Sequence, residues 1–247
     1  MEKKKYSLSC KGKYTVLLIL CFLGMLHIQE IYSWICSCCL KGTMVFFTDN
    51  IGQYELLMIH HTYMFLIAFI ITFVIWKCAG VDFGYRMPDV KCSLKCLCTV
   101  SVIELFFSLI EGLFGIKMEL NNESIVYFVF QFFFSGLGEE IIYRTIPIAV
   151  FDHLCEGKSK CIKVKKVKID LSVVLSSALF AFSHISNHAG EALYSQIYGL
   201  IVVFIEGIVF GWVYRKTKSV WPCIVAHGLS NVLTPVFPIL SGVIFGI

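Results

Sequence analysis

Charged side chains are scarce in this chain. They make up 15% of its 247 residues, against 57% hydrophobic, where a soluble domain has about a quarter charged and about half apolar. At a mean hydropathy of +0.78, a chain this short cannot hide its apolar surface in one core, because a small domain leaves much of its surface exposed. Lipid must cover the remainder. The alternating pattern of a barrel strand is missing, and open strands cannot satisfy their edge groups in lipid, so spanning β-structure is excluded. Internal repeats, low-complexity tracts and Pro/Gly-rich linkers are missing too, which leaves a single membrane domain over residues 1–247. The 12 cysteines supply no disulfide framework. Cys36, Cys38 and Cys39 cluster, but no Cys/His pair follows at zinc-site spacing, and unpaired thiols at a helix end are the preferred reading. Despite a net charge of +4 there is no continuous basic face, which argues against nucleic acid as a partner.

What is present is a series of apolar runs near the 20 or so residues that a membrane helix needs. They cover approximately Tyr14 to Trp34, Met58 to Trp76, Leu97 to Ile116, Ile125 to Val150, Leu171 to Ile185, Tyr198 to Tyr214 and Val220 to Ile247. The last is long enough to break near Pro235 and Pro238, so the expected fold is an all-α polytopic bundle of seven or eight spans. Lys3, Lys4, Lys5, Lys11 and Lys13 precede the first run, but no small-x-small cleavage site follows it, and an uncleaved first helix is expected. Basic residues recur in alternate connectors: Lys77, Arg86, Lys91 and Lys95; then Lys158 to Lys168; then Arg215, Lys216 and Lys218. By the positive-inside rule the N-terminus is cytoplasmic and the protein a multi-pass protein of the cell membrane. Residues before Leu97 contain no ionisable cluster at membrane depth, so the chemistry is expected after that point.

Ionisable groups at the bilayer centre cost about 2.5 to 3.5 kcal/mol on insertion scales and need a reason to be there. Gly138-Glu139-Glu140-Ile141-Ile142-Tyr143-Arg144 packs two carboxylates and a guanidinium into under two helical turns. Glu140 and Arg144 share a face and can pair, while Glu139 projects about 100° away with Tyr143. One carboxylate can hold its charge against arginine while the other, in a drier setting, takes a proton from water. A self-neutralising salt bridge at a helix end is the structural alternative. Phe180 and His184 lie one turn apart on the next run, where a lone histidine is more often a packed, hydrogen-bonded residue than a functional one. His188 falls at the expected helix end and is left out. On the last run His227 and Asn231 are again one turn apart. Asn231 can fix the tautomer of His227, aim its amide at an oxyanion, or simply tie two helices together. Three segments each bringing polar groups suited to hydrolysis point to one site.

At these residues the chain resembles the CAAX protease and bacteriocin-processing family (CPBP, or Abi). Glu-Glu-x-x-x-Arg at Glu139 to Arg144, Phe-x-x-x-His at Phe180 to His184 and His-x-x-x-Asn at His227 to Asn231 look like its three motifs, and the stretch Gly211 to Pro222 is also similar. The resemblance covers roughly Ile125 to Val236, and residues 125–236 are taken as the catalytic core. It implies an all-helical intramembrane endopeptidase acting on a membrane-associated peptide or protein. In that reading Glu139 is the general base with Glu140 its neighbour, and Arg144 orients the carboxylates. His184 helps position water, while His227 and Asn231 polarise the scissile carbonyl and stabilise the oxyanion. Members of the family are also associated with bacteriocin self-immunity, which leaves a non-catalytic immunity protein as the alternative. One carboxylate and two histidines also suit a zinc site. However, Asn231 is an atypical zinc ligand and the resemblance favours a glutamate mechanism without a cofactor, so zinc is the minority reading. Glu104, Glu111 and Glu206 either line a water path or snorkel and pair. Gly207 and Gly211 mark close helix packing within the bundle rather than a dimer interface.

Overall fold

The computed structural model describes residues 52–114, 118, 120–121, 123–154, 161–164, 167–185 and 192–245. The expected first span, the cysteine cluster near Cys36, His188 and the loop around Glu191 lie outside the described residues. Among those described, five stretches are long and apolar enough to cross a membrane: Gln53–Ala79, Val90–Leu113, Ser124–Asp152, Leu193–Thr217 and Trp221–Ile244. The architecture is the expected all-α polytopic bundle. Its helices are α1 (Gln53–Ala79), α2 (Val90–Leu113), α3 (Ser124–Phe133), α4 (Ser135–Glu140), α5 (Ile146–Leu154), α6 (Leu171–Ser183), α7 (Leu193–Thr217), α8 (Trp221–Leu233) and α9 (Val236–Phe245). The break expected at Pro235 separates α8 from α9, because proline cannot donate to the helical ladder.

Two local features depart from the sequence-based picture. Helix α6 has 13 residues, about 20 Å at about 1.5 Å per residue, too short for a hydrocarbon core about 30 Å thick. The apolar run from Leu171 to Ile185 is therefore not a full span; its hydrophobicity serves packing against neighbouring helices. The lysine-rich connector also contains a β-hairpin, Cys161–Val164 antiparallel to Val167–Asp170. It is β1 and β2 of the fold and lies outside the spanning stretches, where the lipid argument against open strands does not apply.

Between α4 and α5 the chain makes a π-helical turn over Ile141–Thr145, closed by the Ile146 N–H on the Ile141 carbonyl. Pro147 accounts for it. Proline has no N–H to give to the carbonyl four residues back, and its ring crowds that carbonyl. The carbonyl belongs to Tyr143, and it accepts instead from the Ser176 hydroxyl of α6 at 2.5 Å. At the basic end of the bundle Arg215 ties α5 and α7 together, donating to both oxygens of Asp152 at 2.6 Å and to Ser172 at 2.6 Å. In the connector between α1 and α2, burial would raise the Asp82 carboxyl, but the Arg86 guanidinium and the Gly84 N–H hold it below its usual value.

Helices α6 and α7 form the most extensive helix contact, and Gly207 allows it. A Cβ at Gly207 would stand 2.9 Å from the Cβ of Ser177, so the small-residue spacing read from the sequence marks packing inside the bundle. Gly207→Leu should cost about 1 to 3 kcal/mol by overpacking and lower the unfolding temperature of the detergent-purified protein. Gly242→Leu, where a Cβ would meet its nearest neighbour, the Met118 carbonyl, at 3.7 Å, should leave it close to that of the wild type.

Candidate active site

Arg144 is fully buried and heads the large side chains with no solvent exposure. Its guanidinium grips Glu140 through both oxygens, Nε to Oε2 at 3.1 Å and Nη2 to Oε1 at 3.3 Å. Nη1 donates to the Ser176 hydroxyl at 3.3 Å, and the cation lies 4.8 Å from the Phe180 ring centroid and 5.7 Å from that of Phe210. The one-turn spacing of Glu140 and Arg144 survives the π turn, and the expected pair forms.

His227, only 4% exposed, reaches the same carboxylate: its Nδ1 is 2.9 Å from Glu140 Oε1. A carboxylate can only accept, so Nδ1 carries the hydrogen and Glu140 sets the ring's orientation. Asn231 does not fix this tautomer, because its amide is engaged elsewhere. The amide nitrogen donates to Gln131 Oε1 at 2.9 Å and to Ser135 Oγ at 2.8 Å. The His227 ring stacks on Phe210 with centroids 5.2 Å apart, and its free Nε2 is directed at Glu139 Oε2, 3.8 Å away.

Glu139 thus stands apart from its neighbour. Both oxygens of Glu140 are committed to Arg144 and His227. Glu139 approaches His227 at 3.8 Å and His61 at 3.6 Å, both beyond hydrogen-bond length. Its side chain opens onto a cavity of about 510 Å³ whose lining includes His184, His227, Asn231, Tyr143 and Gln131. In His184 the Nδ1 is 2.8 Å from the Phe180 carbonyl; a carbonyl also only accepts, so Nδ1 is the protonated nitrogen and Nε2 is left with its lone pair. The motif phenylalanine therefore orients the motif histidine through its backbone, and its ring packs edge-on against it at 4.5 Å.

Of the six residues singled out in the sequence, Glu139, His184, His227 and Asn231 line one cavity. Glu140 and Arg144 lie behind them and hold His227. The expectation that nothing before Leu97 contributes is overturned by α1, which places His60 and His61 in the same lining. His61 donates from Nδ1 to the Ser135 carbonyl at 3.1 Å. No helical spacing of polar residues announced them; α1 reaches the site because Gly138 lets it approach, a Cβ there standing 2.7 Å from the Cβ of Met64. Gln131 and Ser135 were missed as well, although with Glu139 they form a row spaced by four. Glu104, Glu111 and Glu206 do not line the cavity. Glu104 is fully buried beside Glu206, which accepts from Ser230 at 3.1 Å, so these two carboxyl groups stand together. Among the described residues no three His, Cys, Asp or Glu side chains stand together at metal-binding spacing.

Residues 121–233 match the model of a protein family described as Rce1-like, type II CAAX prenyl endopeptidase Rce1-like. The resemblance carried by the three motifs is borne out over the segment that contains them, and the matched family is one of CAAX-type membrane proteases. No curated protein and no solved structure matches the chain. His60 and His61 lie outside the matched segment.

Removing one partner of a buried ion pair strands the other and costs about 3 to 5 kcal/mol, whereas replacing both by apolar groups costs far less. Arg144→Met should therefore destabilise the protein by that amount, and Glu140→Leu combined with Arg144→Met should recover part of the loss. Thermal unfolding in detergent measures both.

Proposed function

We propose that the protein is an intramembrane endopeptidase in which Glu139 activates water to hydrolyse a peptide bond in a membrane-associated protein or peptide. The observation that carries this reading is the contrast between two adjacent carboxylates. Glu140 is saturated by Arg144 and His227, while Glu139 faces a cavity with its nearest polar neighbours beyond hydrogen-bond length. A carboxylate gripped by charged donors is a poor base, and one with room for water beside it is a good one.

The chemistry runs on this chain's own groups. Glu139 takes a proton from water as the water oxygen bonds to the carbonyl carbon and the carbonyl π pair moves onto its oxygen. The His184 Nε2 lone pair accepts a hydrogen bond from the water's second O–H, which stays on the oxygen, and so orients the attack. When doubly protonated, His227 presents an Nε2–H to the developing oxyanion, and Glu140 balances the added charge on the ring. In that state Arg144 and His227 offset Glu139 and Glu140, so the four groups carry no net charge, which suits a low-dielectric site. Glu139 then gives its proton to the leaving nitrogen as the carbon–nitrogen bond breaks. No step requires a metal ion. The family match supports a CAAX-type substrate, a prenylated C-terminal peptide.

Protein reconstituted in liposomes should cleave a prenylated CAAX peptide and keep its activity in the presence of a chelator. Glu139→Gln should lower turnover by about 10²- to 10⁴-fold with little change in unfolding temperature. Cleavage by Glu139→Gln at the wild-type rate would overturn the proposal.

A further inference from the structure

Hydrogen-bond arithmetic around Asn231 leads to a residue outside the three motifs. Ser135 Oγ lies 2.7 Å from the Gln131 backbone carbonyl. A carbonyl cannot donate, so the serine hydroxyl spends its hydrogen there and keeps only lone pairs for other partners. The Asn231 amide group beside that hydroxyl, 2.8 Å away, must therefore be the NH₂ end. Its second hydrogen goes to the Gln131 side chain at 2.9 Å, which obliges Gln131 to present Oε1 to Asn231. Both amide orientations follow from the donation of the Ser135 hydroxyl to that backbone carbonyl.

The result inverts the simple assignment. The two N–H bonds of Asn231 are used inside the protein, so the asparagine offers the cavity no donor. Gln131 has its Oε1 occupied and holds two hydrogens on Nε2. Tyr127, one turn earlier on α3, lies near the Gln131 side chain, and a single phenolic oxygen can accept only one of the two. Gln131 lines the cavity next to Asn231, on the same row as Ser135 and Glu139. The opposite row, on α8, holds Asn231 one turn beyond His227. The two rows touch through Asn231, and Gln131 and Glu139 line the same cavity beside them, so a peptide bound in that cavity lies within reach of both.

We infer that Gln131 is a substrate-binding residue whose Nε2–H donates to a carbonyl oxygen of the bound peptide, and that Asn231 acts through it as a positioning residue. This rests on the endopeptidase reading above. Ser135 is the anchor, since its hydroxyl sets the polarity of the whole series. The arrangement is sensitive to any change that turns a donor into an acceptor at constant shape.

That sensitivity supplies the test. Gln131→Glu keeps an acceptor for Asn231 and replaces the Nε2 donor with oxygen; Gln131→Met removes donor and acceptor together. If Gln131 merely scaffolds Asn231, the glutamate variant should behave as wild type and the methionine variant should not. If Gln131 binds substrate, both should lose about tenfold to a hundredfold in kcat/KM, equivalent to about 1.4 to 2.7 kcal/mol, at unchanged unfolding temperature. The glutamate variant's loss should deepen as pH rises and its carboxyl ionises. Tyr127→Phe should retain wild-type kcat/KM. Folded Gln131→Glu with wild-type kcat/KM would overturn the inference while leaving Glu139 as the base. Failure of both variants to fold would also overturn it, by assigning Gln131 to the architecture. No cleavage by the wild type, with or without added divalent metal, would remove the endopeptidase reading and this inference with it.

Discussion

A guanidinium sealed inside a lipid-embedded bundle sets the terms for everything around it. Arg144 has no solvent exposure and no water to fall back on, so its charge must be met where it lies. Glu140 meets it through two hydrogen bonds, Ser176 takes a third, and the ring faces of Phe180 and Phe210 cover the cation. These partners come from the stretch around α4, from α6 and from α7. One unavoidable charge thereby fixes the relative placement of three elements, and α8 is added when His227 joins the same carboxylate. The desolvation cost of such a cluster is high, and a uniformly apolar core would hold the helices together as well or better. Its retention makes most sense as the mounting of a histidine.

The backbone cooperates through a proline. Pro147 denies the Tyr143 carbonyl its helical partner, and Ser176 Oγ supplies one from α6. The same hydroxyl then accepts from Arg144. A break in one helix is thus stitched to its neighbour by the residue that also helps satisfy the buried cation. The π turn shifts the phase of α5 relative to α4 by about one residue, and such turns are frequent at functional sites. Ahead of the turn the row Gln131, Ser135, Glu139 faces the cavity; beyond it Ile146, Ile148 and Ala149 are buried in the core.

Much of this could be read from the chain, and the boundary of legibility is physical. Spacing by four puts Glu140 with Arg144, Phe180 with His184 and His227 with Asn231 on common faces, and helical geometry guarantees that much. The apolar runs foretell the spanning helices, and Pro235 foretells the break between α8 and α9. Which faces meet across helices is a matter of tertiary packing. For that reason His60 and His61, carried on an otherwise apolar α1, escaped notice, and Gln131 and Ser135 passed as part of an aromatic run. The partner of a side chain was equally hidden. Asn231 sits one turn from His227 and looks poised to orient it, yet His227 finds its partner in Glu140 and Asn231 finds its partners in Gln131 and Ser135, all on other elements. Helix α6 misled for a different reason: hydropathy reports what a segment avoids, and cannot tell lipid from a protein interior.

Satisfaction of hydrogen bonds is uneven across the site, and the unevenness is informative. The polar atoms that hold the site from behind are paired: both oxygens of Glu140, the Nδ1 atoms of His227, His184 and His61, and the hydroxyls of Ser135 and Ser176. On the cavity side the pattern reverses. Glu139 Oε2 and His227 Nε2 stop 3.8 Å apart, and His184 Nε2 keeps its lone pair. In a membrane interior an unsatisfied polar group is costly, so a structure that pairs its rear atoms this thoroughly and leaves its front atoms open is holding the front ones for mobile partners. Water and a peptide group are the partners that fit, being small, able to donate and accept, and able to enter and leave. The rear contacts hold the open atoms in place before any substrate arrives, which is the preorganisation that the proposed hydrolysis requires.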